Sequence, residues 1–167
     1  MLLCDFHIHT TWSDGSVDLP EVVDIYGQAG FDVISITDHV YNSDSTIGSW
    51  AERLNKTIAE ENFPNYMEAL EREAERAMAR YGMLLIPGVE ITKNYLSEEE
   101  SAHVLLLDLK RYVSADLGWE EIFREANHLY SWKTLLPCLK NVEAVKECIR
   151  DNRGVAITMF RNGTARE

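Results

Sequence analysis

Two histidines, His7 and His9, stand one residue apart in "DFHIHTTWSDG", residues 5–15 of a chain that holds only five histidines. With Ile8 between them in a strand, both imidazoles project to one face, where two neutral nitrogen ligands can reach the same metal ion. Such a pair taken alone also fits polar decoration of a strand edge. Further ionisable residues stand at the ends of other apolar runs: Asp38 and His39 in "ITDH", Glu90 in "IPGVEIT" and His103 in "AHVLLL". Two or three divalent ions held close together need histidines plus at least one carboxylate to bridge and neutralise them. Glu90, flanked by Val89 and Ile91, suits that bridge, because an unpaired carboxylate in an apolar run is costly to ionise. Pairing with Lys93, or exposure to solvent, is the other reading of Glu90.

The elements that must carry these side chains are legible in outline. Residues 2–8, "LLCDFHI", read as a buried strand, and Asp18 then caps a helix with Pro20 in its first turn. Val22, Val23, Ile25, Tyr26 and Ala29 form its apolar stripe and Gly30 closes it. Residues 31–37, "FDVISIT", are a second strand, so the start is a βαβ unit that favours a parallel sheet. A polar loop over 41–48 leads to helices over 49–62 and 64–81, the second facing the core with Met67, Leu70, Ala74, Ala77 and Met78. Strands follow at 83–91 and 102–109, helices around 118–130 and 141–152, and a fifth strand at 154–158. The expectation is one α/β domain over residues 1–167, with helices between about five mainly parallel strands. Sites in parallel α/β folds lie at the carboxyl ends of the strands, which places His103 at the wrong end of its own.

Composition narrows the function classes. With 46% hydrophobic and 26% charged residues, the chain reads as a soluble globular protein. No apolar run nears the roughly 20 residues needed to span a bilayer. The N-terminus lacks the basic and apolar segments of a signal peptide, so a cytoplasmic location and no membrane partner are expected. Cys4, Cys138 and Cys148 form no C-x-x-C, which argues against a disulfide framework and a thiolate zinc site. Sixteen basic against 28 acidic residues give a formal charge of −12, which repels a nucleic-acid backbone and leaves at most a short oligonucleotide as a substrate of that class. Bound divalent cations would offset part of this charge where a phosphate could approach. The serines lack a neighbouring base in any recognisable arrangement, against Ser/His/Asp hydrolysis.

In this order and spacing, "DFHIHTTWSDG", "ITDH", "IPGVEIT" and "HVLLLDL" resemble the PHP (polymerase and histidinol phosphatase) superfamily, in particular its stand-alone metal-dependent phosphoesterases. The resemblance runs from residue 2 to about 117. It implies a distorted (β/α)7 barrel, incomplete here, with two or three divalent ions (Zn, Mn or Fe) that hydrolyse a phosphate mono- or diester of a small substrate through a metal-bound hydroxide. It further implies metal-ligand roles for His7 and His9, a separate metal for Asp14 and His39, bridging by Glu90, and a place for His103 on the second metal. Asp38 is read as an acceptor that orients a histidine, with helix capping as the alternative. Ser13 and Gly15 shape the loop that delivers Asp14.

The family pattern continues with a histidine in an "AHP"-like segment and a late aspartate and histidine. Phe160 and Arg161 stand where that histidine and its proline belong, and the sequence ends at Glu167. Residues 118–167 diverge, and His128 there reads as a packing or surface residue. The favoured reading is a C-terminally truncated product; the alternatives are a subunit whose open sheet edge is closed by self-association and a shortened homologue. The rival to catalysis is accordingly a non-catalytic or weakly metal-binding fragment.

Overall fold

The computed structural model describes residues 2–43, 45, 48, 50, 51, 54, 56–93, 102–109 and 111–125, with the backbone alone of 133–135 and 155–157. Among the described residues the main sheet has four strands in sequence order: β1 (Cys4–Ile8), β2 (Val33–Tyr41), β3 (Leu84–Lys93) and β4 (Ala102–Leu107). Helix α1 (Leu19–Gln28) links β1 to β2, and α2 (Phe63–Tyr81) precedes β3. A short helix α3 (Trp119–Glu125) follows β4. The curled sheet is half of a barrel, the incomplete architecture expected from the sequence.

The sheet is less parallel than expected. β1–β2 and β2–β3 are parallel, but β4 runs antiparallel to β3. Only eight residues, 94–101, separate β3 from β4, too few for a helical crossover back to the far edge of the sheet, which takes a dozen or more. The expected fifth strand does form over Val155–Ile157, but it pairs antiparallel with Lys133–Leu135 in a separate two-stranded sheet rather than extending the main one.

β2 also runs further than the apolar pattern suggested. It continues through Thr37, Asp38, His39 and Val40 to Tyr41, so Asp38 and His39 lie within the strand rather than after it. Polar residues hid this extension, yet every residue from Val33 to Val40 is buried, because both faces of the strand are covered.

The helices follow their caps. The Asp18 carboxylate accepts from Glu21 N at 2.9 Å, and Gly30 leaves α1 at φ +80°. Gly82, at φ +61°, ends α2. The faces are rotated from those expected. In α1, Leu19, Val22 and Val23 are buried while Ile25 and Ala29 are exposed. In α2 the buried line is Tyr66, Ala69, Leu70, Glu73 and Ala77, and Met78 is 42% exposed. Arg76 explains why Glu73 can turn inward: its guanidinium bonds Glu73 at 2.6 Å, Asp24 of α1 at 2.5 Å and the Pro20 carbonyl at 2.7 Å. Of the helix expected over 49–62, residues 50 and 51 are helical, whereas 56–62 are not. Asn62 staples this stretch instead, accepting from Ala59 N and donating to Thr57 O.

The core has two parts. The larger lies between the sheet and the helices, around Ile34, Ile36, Tyr66, Leu70, Val89, Ile91 and Leu106. The smaller is the floor inside the half-barrel, formed by Phe6, Val33, Leu84, Ile86, Leu105 and Leu107. Full burial of each such side chain contributes about 1.5–3 kcal/mol, enough for the sheet to hold polar groups rigidly at its other end. Cys4 is half-buried. Residues 126–130, including His128, the expected helix over 141–152, and Cys138, Cys148 and Phe160 lie outside the described residues. Among the described residues no helix is long and apolar enough to cross a membrane.

Candidate metal centre

The six side chains proposed as ligands come together at one end of the sheet. Glu90 is the hub, with only 1% of its surface exposed. Its Oε2 lies 2.9 Å from His7 Nε2 and 2.9 Å from His9 Nε2, so both imidazoles reach one point, although β1 ends at Ile8 and His9 follows it. Its Oε1 lies 2.7 Å from His103 Nδ1. His39 sits opposite Glu90 in the β2–β3 register, with Nδ1 at 3.4 Å from Oε2. Asp14 completes the cluster, its Oδ1 at 2.8 Å from His9 Nδ1 and its Oδ2 at 3.5 Å from His39 Nε2.

The antiparallel turn of β4 resolves the position of His103. His103 is paired with Thr92, so the start of β4 lies beside the end of β3 and the imidazole reaches the same edge as the others. Lys93 is not the partner of Glu90. Alternation along β3 sends it to the other face, where its ammonium meets the Leu117 carbonyl and lies 5.0 Å from the centre of the Trp119 ring.

Asp38 does not orient a histidine. Its Oδ1 accepts from Thr10 N at 2.7 Å and Ser13 Oγ at 2.6 Å, and its Oδ2 from Thr10 Oγ1 at 2.8 Å. Neighbouring strand residues face opposite sides, so with His39 in the site Asp38 must point behind it. Gly15 shapes the loop as expected, through close approach rather than an unusual φ. A Cβ there would lie 2.6 Å from the His9 carbonyl oxygen.

Thr92 joins the cluster although no motif marks it out. Its Oγ1 lies 2.6 Å from His39 Nδ1 and donates toward the Glu90 carbonyl at 3.5 Å. The hydroxyl thus engages Nδ1 and leaves Nε2, 3.5 Å from Asp14 Oδ2, facing the site. The signal was present: Thr92 is two residues beyond Glu90 and shares its strand face.

The electrostatics are those of a cluster built for added positive charge. Burial alone would raise Glu90, but hydrogen bonds from His103, His7 and His9 hold its carboxyl well below the usual carboxylate range. Burial also opposes the charge on His9, yet Glu90 and Asp14 together push it up to about 9. His39 goes the other way, drawn down to about 4 chiefly by burial, with the His9 and His103 charges adding to it against Glu90 and Asp14. Asp14 is lowered: its burial is outweighed by the His9 hydrogen bond and the His39 and His9 charges.

The donor chemistry fits divalent cations. Among the described residues, three groups have ligand atoms within 4.8 Å of one another: His7, His9 and Glu90; His9, Asp14 and His39; and His39, Glu90 and His103. The short imidazole–carboxylate contacts require a proton on each nitrogen involved, and a cation among the same atoms replaces those protons with lone pairs. Each neutral imidazole brings one lone pair, and the groups share His9 and His39, so all three cannot be completed independently. Glu90, with Oε2 toward His7 and His9 and Oε1 toward His103, is the member able to serve two ions.

The PHP domain family model matches residues 5–122, a span that includes all six of these side chains. No curated protein matches the chain. The fold is similar to the crystal structure of a two-domain protein from Bacteroides vulgatus that contains a predicted PHP-like metal-dependent phosphoesterase, with a TM-score of 0.51 and 28% sequence identity. The similarity covers 77% of this chain and 32% of that one, so the present chain spans about a third of that protein's length. Family match and fold agree, and the chain belongs to the PHP domain family.

Proposed function

We propose that this chain is a metal-dependent phosphoesterase that hydrolyses a small phosphate mono- or diester, with His7, His9, Asp14, His39, Glu90 and His103 as its metal ligands. The observation that carries the reading is the convergence of four imidazoles and two carboxylates, drawn from β1 and its following loop, β2, β3 and β4, into overlapping three-member donor groups. Mixed imidazole and carboxylate donors suit Zn, Mn or Fe. When bound, such ions supply Lewis acidity, activating a water for attack on phosphorus and offsetting charge on the phosphoryl oxygens.

The protein's own part is to hold the donors still. Glu90 is fixed by the sheet, and Thr92 engages Nδ1 of His39 at 2.6 Å. Tyr41 stacks on His39 with ring centroids 4.7 Å apart, and burial together with Asp14 and Glu90 pushes its phenol up to about 12, so it remains a proton donor at the edge of the site. The formal charge of −12 would repel an anionic ester elsewhere on the surface, which leaves the cation-loaded cluster as the place for it to settle.

The test is hydrolysis of an aryl phosphate and a bis-aryl phosphate by metal-stripped chain with and without added Mn²⁺, beside His9→Ala. Turnover that needs the metal and is lost in the variant is the expected result. Absence of both stoichiometric metal and turnover would overturn the reading, and metal uptake without turnover would reduce it to metal binding.

A further inference from the structure

We infer that Asp38 is a positioning residue for the metal centre: by clasping the Thr10–Ser13 turn it holds Asp14 against His9 and His39, and thereby sets the affinity of the Asp14–His39 position. The inference rests on the metal-centre reading above and adds a residue that touches no ligand atom of it.

Asp14 is the weakly supported member of the cluster. Its side chain is 59% exposed and it sits on a loop, whereas Glu90 is locked in a strand. The backbone just before it is tightly held. Thr10 N, Thr10 Oγ1 and Ser13 Oγ all donate to the Asp38 carboxylate across 25 to 28 residues of sequence. Within the turn, Ser13 N donates to Thr10 O at 3.0 Å and Trp12 N to Thr10 Oγ1 at 3.2 Å. Thr10, Ser13 and Asp38 are fully buried, so no water competes for these bonds. The turn therefore has one available geometry, and the next residue along is Asp14.

Asp38 is itself anchored to the strand that carries the bridging carboxylate. Its backbone N–H donates to Tyr66 Oη at 3.4 Å, and Tyr66 Oη donates to the Gly88 carbonyl at 3.0 Å. Gly88 precedes Glu90 by two residues in β3. One connected path thus runs from β3 through Tyr66 and Asp38 to the loop, and it fixes the spacing of Asp14 from Glu90. An outer partner of this kind commonly commands about 10–100-fold in metal affinity.

The experiment is a stepwise Co²⁺ titration of the metal-stripped full chain, read by visible absorption, with thermal unfolding of each variant alongside. Asp14→Asn defines which step belongs to the Asp14–His39 position. Ser13→Ala and Asp38→Asn are expected to weaken that same step by about 10–100-fold and to leave the other steps within about twofold. In the Asp14→Asn background, Ser13→Ala should change nothing further, since it acts through Asp14. If Asp38→Asn fails to fold, Thr10→Val carries the test beside Ser13→Ala, because it removes a hydroxyl that donates to Asp38, whereas the Ser13 hydroxyl also lies 3.5 Å from Asp14 Oδ1. Wild-type binding in Ser13→Ala, equal weakening of every step, or additivity with Asp14→Asn would each overturn the inference. A wild-type chain that takes up no Co²⁺ would instead overturn the metal-centre reading on which it stands.

Discussion

His103 and Glu90 meet at 2.7 Å although His103 is the second residue of its strand and Glu90 the seventh of its own, because β4 reverses against β3. Glu90 belongs to two of the three donor groups and His103 to one. Glu90→Gln should therefore reduce bound metal more than His103→Ala, and its loss should exceed the about 10–100-fold typical of outer partners. Metal content after gel filtration, measured by elemental analysis, decides the order. Equal loss in the two variants would contradict the bridging position of Glu90.

Proton release offers a separate check on His9. In the metal-free chain its two ring nitrogens face Glu90 and Asp14, which push it up to about 9, so it is charged at neutral pH. A cation needs the deprotonated ring, so binding displaces that proton and affinity rises with pH. The apparent affinity should climb about tenfold per pH unit between about 7 and 9 and level off above. Calorimetry at pH 7.5 in buffers of different ionisation enthalpy should find about one proton released per chain through His9. His39, held neutral down to about 4, adds nothing to this window.

Gly15→Ala should destabilise the chain. The added Cβ would sit 2.6 Å from the His9 carbonyl oxygen and 2.7 Å from the Thr10 carbonyl carbon, and backbone cannot swing aside as a side chain can. Overpacking of this kind costs about 1–3 kcal/mol. Urea unfolding of the metal-free variant measures it, and an unchanged midpoint would show that the loop relaxes freely.

Away from the centre, Asp24 links α1 to α2. The Arg76 guanidinium and the Tyr81 hydroxyl bond its carboxylate and hold it below the ordinary value of 3.8. A carboxyl lowered by folding contributes stability above its unfolded value and loses it as the pH falls through the folded one. The stability gap between the wild type and Asp24→Asn should be constant from neutral pH down to about 5 and close in stronger acid. Denaturation series at several pH values would show this, and a gap that widens in acid would contradict it.

What was legible in the sequence was the chemistry and the half of the fold that local pattern encodes. His7 and His9 could be assigned to one face because a strand has period two, and Asp18 and Gly30 mark the ends of α1 by capping alone. Strand direction is not a local property. Nothing in "AHVLLL" says that it runs back along β3, and only the pairing of Thr92 with His103 brings that imidazole to the site. Helix rotation was blurred for a similar reason. Met78 is more apolar than Glu73, but Arg76 neutralises Glu73 at the α1–α2 contact and the more polar residue goes inside. The role of Asp38 was hidden because its partners, Thr10 and Ser13, lie a strand away and carry no metal-site signature.

The adjacency of Asp38 and His39 on β2 has a consequence for how errors would propagate. One carboxylate braces the loop behind the sheet while the next side chain enters the centre from in front. A slip of β2 by a single residue would turn its faces over, setting either Asp38 among the ligands or, in the other direction, His39 against Ser13 and Thr10. The centre is thus written in the phase of one strand. A one-residue insertion or deletion between Val33 and Asp38 would scramble both halves together, whereas loop changes outside that span would leave the phase intact.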